Sequence, residues 1–258
     1  MFRGPGIEFD EVREYVETDD ARNIDWNVSS RMGFPYTKTY REEREIALFL
    51  LIDVSASMAS GTSAMSKSDT ANLVSALLCL SAIQNNDRVG SLFFTDRIEK
   101  MVPPGKGMTH ASRLVRDMAT LRPKSKGSEL ALACKVAHET LKRRGICVIV
   151  SDFRMSSGIR ELTLLSKKHD VIAVKIVDPA DERFPPTGLI ELTDPEERYR
   201  LVTFGRSRRF QLEYREFWEL EHSMWTRNCR KRGIGTLTIS TSEDPAQRLI
   251  SFFSRRKR

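Results

Sequence analysis

From residue 46 onward the apolar positions fall into short blocks separated by polar breaks, and the blocks alternate between two periods. Residues 46–52 (IALFLLI) are apolar at every position, the pattern of a strand covered on both faces. A loop over 53–66, rich in Ser, Ala and Gly, follows it. Residues 67–86 then carry Leu73, Leu77, Leu80 and Ile83 at helical spacing. Further strands are predicted over 87–95, from 97 to the Pro103-Pro104 pair as an edge hairpin, and over 146–153, 170–178 and 234–241. Helices are predicted over 108–121, 128–144, 158–169 and 207–233. A closing helix, 244–253, opens on the Asp244-Pro245 cap. Ser128 is placed as the cap of the second of these helices and Gly145 as its stop. Residues 181–202 read as a loop and a hairpin. Residues 1–45 are polar and irregular, with a short helix over Glu8 to Val16.

Strands alternating with helices define an α/β protein with a mostly parallel sheet. Right-handed crossovers bring the C-terminal ends of the parallel strands to one edge, and ligands bind there, where the strand order reverses. The expected division is an arm, 1–45, and one domain, 46–258.

Composition narrows the classes. No apolar run approaches the roughly 20 residues that span a bilayer. The N-terminus reaches acidic residues without an apolar signal core. The expectation is a soluble, cytoplasmic protein. Cys79, Cys134, Cys147 and Cys229 are widely spaced and form no C-x-x-C, so they read as small buried residues and not as a zinc or redox motif. The net charge of +7 gathers late, in 205–210, 227–232 and 255–258. No nucleic-acid module accompanies these runs and aromatics do not alternate with them, so they read as solvated faces. His110, His138, His169 and His222 are scattered and read as structural or exposed.

The chemistry lies at strand ends. Asp53 ends the apolar block 46–52, and Ser55 and Ser57 follow at every second position. Asp152 ends the block 146–151, and Ser128 follows the Gly127 turn. Two carboxylates and three hydroxyls form an all-oxygen set, the set a small hard dication such as Mg²⁺ or Mn²⁺ takes, with water completing the sphere. A cation would offset the cost of burying Asp53, and a partner's acidic residue could displace a water from it.

The stretch "LIDVSASM" resembles the metal-ion-dependent adhesion site of von Willebrand factor A domains, Asp-x-Ser-x-Ser. The resemblance implies Asp53, Ser55, Ser57, Ser128 and Asp152 as ligands, Ser128 standing where that family usually has threonine. Residues 6–31 (GIEFDEVREYVETDDARNIDWNVSSR) and 35–45 (PYTKTYREERE) resemble the arm preceding this domain in the bacterial family called "domain of unknown function 58", with Thr18 where glycine is typical. The resemblance spans roughly 6–180. It implies a Rossmann-like three-layer sandwich, and a partner among MoxR-type AAA+ ATPases in assembling or maturing other protein complexes.

The leading expectation is a non-enzymatic, metal-dependent protein-binding module. A Mg²⁺-dependent phosphohydrolase with Asp53 as nucleophile is the alternative, but Ser55 stands where such enzymes place a second acid as proton donor. "PPGKGMT" (103–109) is similar to a phosphate loop but lacks its spacing. A metal-free basic scaffold is the third reading. In the arm, Trp26 and Phe9 are the expected anchors, and Asp19-Asp20 beside Arg22 reads as a local ion-pair turn.

Overall fold

The computed structural model describes residues 7–42, 46–154, 158–193 and 200–256, and at 7–10, 40–42, 190–193, 200, 201 and 203 the backbone alone. The chain divides into two compact units, Met1–Glu45 and Ile46–Arg258.

In the first unit β1 (Ile7–Glu14) pairs antiparallel with β2 (Tyr36–Glu42). This corrects the expected helix over Glu8 to Val16 and the irregular arm. Phe9, Val12 and Val16 fall at helical spacing, but a register shift between Phe9 and Glu11 inserts the extra residue that makes such spacing compatible with a strand. Between the strands runs α1 (Trp26–Met32). Asp25 caps it, accepting from the Asn27 amide at 3.0 Å, and Gly33 ends it with φ 78°. Trp26 is 71% exposed and is no core residue of this unit; the Phe9 side chain lies outside the described residues. Arg13 pairs with Asp19 at 2.6 Å and Arg22 with Asp20 at 3.3 Å, as expected for an ion-pair turn. Thr18 needs no left-handed φ there; among described non-glycine residues only Asn86 and Phe153 have one.

The second unit runs β3 (Ala47–Asp53), α2 (Lys67–Gln84), β4 (Arg88–Phe94), β5 (Ile98–Gly105), α3 (Met108–Thr120), α4 (Leu130–Thr140), β6 (Ile146–Ser151), α5 (Ile159–Lys168), β7 (Asp170–Val177), α6 (Pro179–Glu182), β8 (Leu189–Thr193), β9 (Arg200–Phe204), α7 (Arg208–Arg230), β10 (Gly235–Ser240) and α8 (Pro245–Arg256). Six strands form one sheet in the order β10-β7-β6-β3-β4-β5, parallel except for the edge strand β5. β8 and β9 make the separate hairpin. The chain leaves β3 toward β4 and β5 and returns on its other side to β6, so the order reverses between β3 and β6.

Strand pleating sends alternate residues of β3 to opposite faces. Leu48, Leu50 and Ile52 join Val74 and Leu78 of α2, Leu114 of α3 and Leu249 of α8 in one core. Phe49 and Leu51 join Ala133 of α4, Leu165 of α5 and Cys229 of α7 in the other. The result is a three-layer α/β/α sandwich.

One helix is refined and one helix expectation is corrected. In α2 the buried face is Ala71, Val74, Ser75, Leu78, Cys79 and Ala82, while Leu73 and Leu80 face outward. Apolar residues surround this helix, so spacing alone does not fix which side is inward. In α4 the cap is Glu129, whose carboxylate accepts from the Ala131 amide at 3.2 Å, and Ser128 is turned elsewhere. The helix ends at Thr140, before Gly145. Gly145 is required for another reason: a Cβ there would sit 2.5 Å from the Ala47 carbonyl oxygen. All four cysteines are buried free thiols, and burial pushes those of Cys79 and Cys229 up to about 11.

Candidate metal centre

Asp53 is the last residue of the central strand, at the point where the strand order reverses. It is 1% exposed. Its Oδ1 accepts from the Ser55 amide at 2.9 Å, and its Oδ2 accepts from the hydroxyls of Ser128 at 3.0 Å and Ser151 at 2.6 Å. The Ser55 and Ser57 hydroxyls lie 3.2 Å apart, both buried. Asp53, Ser55, Ser57 and Ser128 therefore lie together at this strand end.

The loops are held from behind. The Ala56 amide donates to the Lys126 carbonyl at 2.9 Å, tying the loop after β3 to the loop before α4. Glu99 of β5 accepts from the Lys124 and Ser125 amides at 3.1 and 3.0 Å and from the Thr95 hydroxyl at 2.9 Å. Burial opposes its ionisation, but these donors win and hold the Glu99 carboxyl below its ordinary range.

Asp152 stands differently. Ile52 pairs with Val150, which sets Ser151 level with Asp53 and on the same face; the pleat sends Asp152 the other way. Its Oδ2 accepts from the Lys67 ammonium at 3.0 Å and lies 3.5 Å from Arg154 Nε. Lys67 is the first residue of α2 and fully buried, and it also reaches Asp181 at 3.3 Å. Arg154 pairs with Asp181 in turn. Sequence reading missed Ser151, Lys67, Arg154 and Asp181. Ser151 was legible in principle, since the register of two adjacent strands names it. The buried role of Lys67 leaves no mark, because a lysine at a helix start is ordinarily solvated.

Asp53 itself has no ion pair among the described residues, whereas Asp152 and Asp181 share the Lys67 ammonium. Burial drives its carboxyl upward, the Ser151 and Ser55 contacts oppose this, and the Asp152 charge adds to the rise. The donor set fits a hard dication: one buried carboxylate lacking a counter-charge, surrounded by hydroxyl oxygens. Among the described residues no group of three or more His, Cys, Asp or Glu could hold a metal. None of the four histidines enters this site. His110 contacts the Val89 carbonyl at 2.8 Å, His138 is exposed, His169 is buried under the opposite strand end, and His222 lines a cavity beside α7.

A Rossmann-like sandwich with one antiparallel edge strand, and Asp-x-Ser-x-Ser at the C-terminal end of its central strand, defines a von Willebrand factor A-like protein. The chain belongs to the family described as "Protein of unknown function DUF58", which it matches over residues 11–222. An uncharacterized protein of Mycobacterium tuberculosis (strain H37Rv) is 28% identical over 261 residues, covering 100% of this chain and 82% of that one. An uncharacterized protein of Mycobacterium avium is 27% identical over 166 residues, 61% of this chain and 94% of the relative. Two solved structures share the fold. One is the conserved hypothetical protein BatB of Bacteroides thetaiotaomicron (TM-score 0.53, 15% identity, 82% of this chain and 98% of that one). The other is an aerotolerance-related membrane protein of Bacteroides fragilis (TM-score 0.55, 15% identity, 83% and 100%). At that identity the likeness concerns fold alone. Among the described residues no helix is long and apolar enough to cross a membrane.

Proposed function

We propose that this chain is a non-enzymatic, cytoplasmic protein-interaction module that binds Mg²⁺ or Mn²⁺ through Asp53, Ser55, Ser57 and Ser128. Ser151 orients the Asp53 carboxylate, and Asp152, clamped by Lys67, contributes its field and at most its second oxygen. The bound ion would supply an electrophilic point of attachment for an acidic residue of a protein partner, for which a MoxR-type AAA+ ATPase is the leading class. The observation that carries the proposal is the Asp53 carboxylate itself, buried at the strand-order reversal and met only by hydroxyl and amide donors. A phosphohydrolase role is disfavoured by Ser55, which stands where such an enzyme needs a second acid as proton donor.

The test is thermal melting against Mg²⁺ and Mn²⁺. Wild type should melt higher as the ion saturates, by RT ln(1 + [L]/Kd), about 2.7 kcal/mol at a hundredfold excess over Kd. Asp53→Asn should fold and show no such rise. An equal rise in both removes Asp53 as a ligand. A flat response in wild type favours a metal-free scaffold, the reading supported by the Lys67 ammonium already neutralising one of the two strand-end carboxylates.

A further inference from the structure

Register places Lys175 of β7 opposite Ser151 of β6, so that Asp53, Ser151 and Lys175 form one row across three strands on the face covered by α7. Lys175 is 6% exposed. Among the described residues its ammonium has no hydrogen bond and no ion pair. Its one contact of note is the face of Trp225, 5.3 Å from the ring centre. An ammonium buried without a contacting anion is costly, more so than a cation–π contact returns, and the charges of Asp152, Glu221 and Asp181 nearby offset that cost only in part. Burial accordingly depresses the proton affinity of this lysine.

The side chain lines a cavity of about 260 Å³ between the ends of β6 and β7 and the helix α7. Arg154, Asp181, Arg215, Trp218 and His222 share its wall. Of the other charges facing it, Glu182 and Arg183 are exposed and of opposite sign, and the rest are paired. Arg154 pairs with Asp152 and Asp181 while lying 4.9 Å over the Trp218 ring, and Arg215 pairs with Glu219 at 2.6 Å. One buried positive charge is left over, next to an indole face and a space of small-molecule size.

We propose that this cavity binds the carboxylate of a small organic acid, with the Lys175 ammonium as its counter-ion and Trp218 against its apolar body. A single negative charge matches a single unpaired ammonium. A phosphate dianion fits less well, because Asp152, Asp181 and Glu219 line the same space. The cavity shares Asp152 with the surroundings of the cation site, but Asp53, Ser55, Ser57 and Ser128 are not in its wall.

The experiment is titration of the full chain with sodium benzoate at fixed ionic strength, read by tryptophan fluorescence and melting temperature. Benzamide serves as the neutral isostere and inorganic phosphate as the competing anion. The expected result is a saturable benzoate response, absent with benzamide and at least tenfold weaker in affinity with phosphate. Lys175→Met should fold, since it removes an unpaired buried charge, and should weaken benzoate at least tenfold. Trp218→Ala weakens it as well and serves if the first variant does not fold. Asp53→Asn should retain it, which separates this site from the cation proposal. No saturable response, an equal response in Lys175→Met, or equal binding of benzamide or phosphate overturns the assignment.

Discussion

At the scale of single residues, the site rests on how two strand-end carboxylates are compensated in different ways. Asp152 has a buried ammonium, and Asp53 has hydroxyls. Coulomb attraction and desolvation nearly cancel in an intact buried pair, whereas deleting one partner leaves the other charge stranded. Lys67→Met should therefore cost about 3–5 kcal/mol of stability in urea denaturation, because Asp152 and Asp181 lose their fully buried shared cation and keep only the partly exposed Arg154. The double variant Lys67→Met, Asp152→Asn should regain a measurable part of that loss. If Lys67→Met alone costs under about 1 kcal/mol, the pair is not buried as described. Phe153 follows the same site with φ 50°, a conformation that costs a non-glycine residue about 1 kcal/mol or more. Its amide donates to Ser151 Oγ at 3.0 Å, and its ring packs 5.2 Å from that of Trp225, so the turn that re-aims Arg154 is fixed at both ends.

At the scale of elements, the alternation of strands and helices and the strand-end position of Asp53 were legible because a strand covered on both faces leaves an unbroken apolar run. What was not legible follows from the same physics. A helix wedged between the sheet and further helices is apolar around much of its circumference, so the spacing of Leu73, Leu77, Leu80 and Ile83 identifies α2 as a helix without fixing which side is inward. A strand carrying a bulge has apolar spacings of three and four, so β1 took the form of a helix in the sequence. Helix phase is testable. Leu78 is 8% exposed and Leu73 38%, so Leu78→Ala should cost about 2–4 kcal/mol and Leu73→Ala under about 1 kcal/mol. Equal costs in chemical denaturation would contradict this phase. Ser128 belongs to the same lesson: a serine before a helix is ordinarily its cap, but here Glu129 caps and Ser128 turns to Asp53, a choice set by a strand 75 positions earlier.

At the scale of the whole molecule, three buried titratable groups at the ends of the sheet shape stability against pH, and they act with different signs. Asp178 ends β7. Burial opposes its charge, but donors from Thr62, Ala180 and Thr241 outweigh that and hold it down at about 2, so its contribution is present above the unfolded value of 3.8 and fades only below it. Asp53 is raised, so the folded chain holds that proton longer than the unfolded one and stability falls as pH rises through the interval above 3.8. His169 lies at the other end of the sheet, 3% exposed, its Nδ1 accepting from the Gly145 amide at 3.3 Å and its Nε2 without a partner. Burial, with the charges of Lys168 and His138 nearby, lowers it from 6.5 to about 4. The unfolded chain thus binds a proton that the folded chain refuses, and stability is lost as pH falls from 6.5 toward 4. The size of that loss is about 2–3 kcal/mol between pH 7 and pH 4. Asn at 169 keeps an acceptor at the Nδ1 position and cannot take up a proton. His169→Asn should therefore flatten the curve of urea midpoint against pH over this interval, while leaving the loss below it to the carboxylates. Parallel curves for variant and wild type would mean that the ring is already charged in the folded chain, and that the Gly145 amide is satisfied in another way.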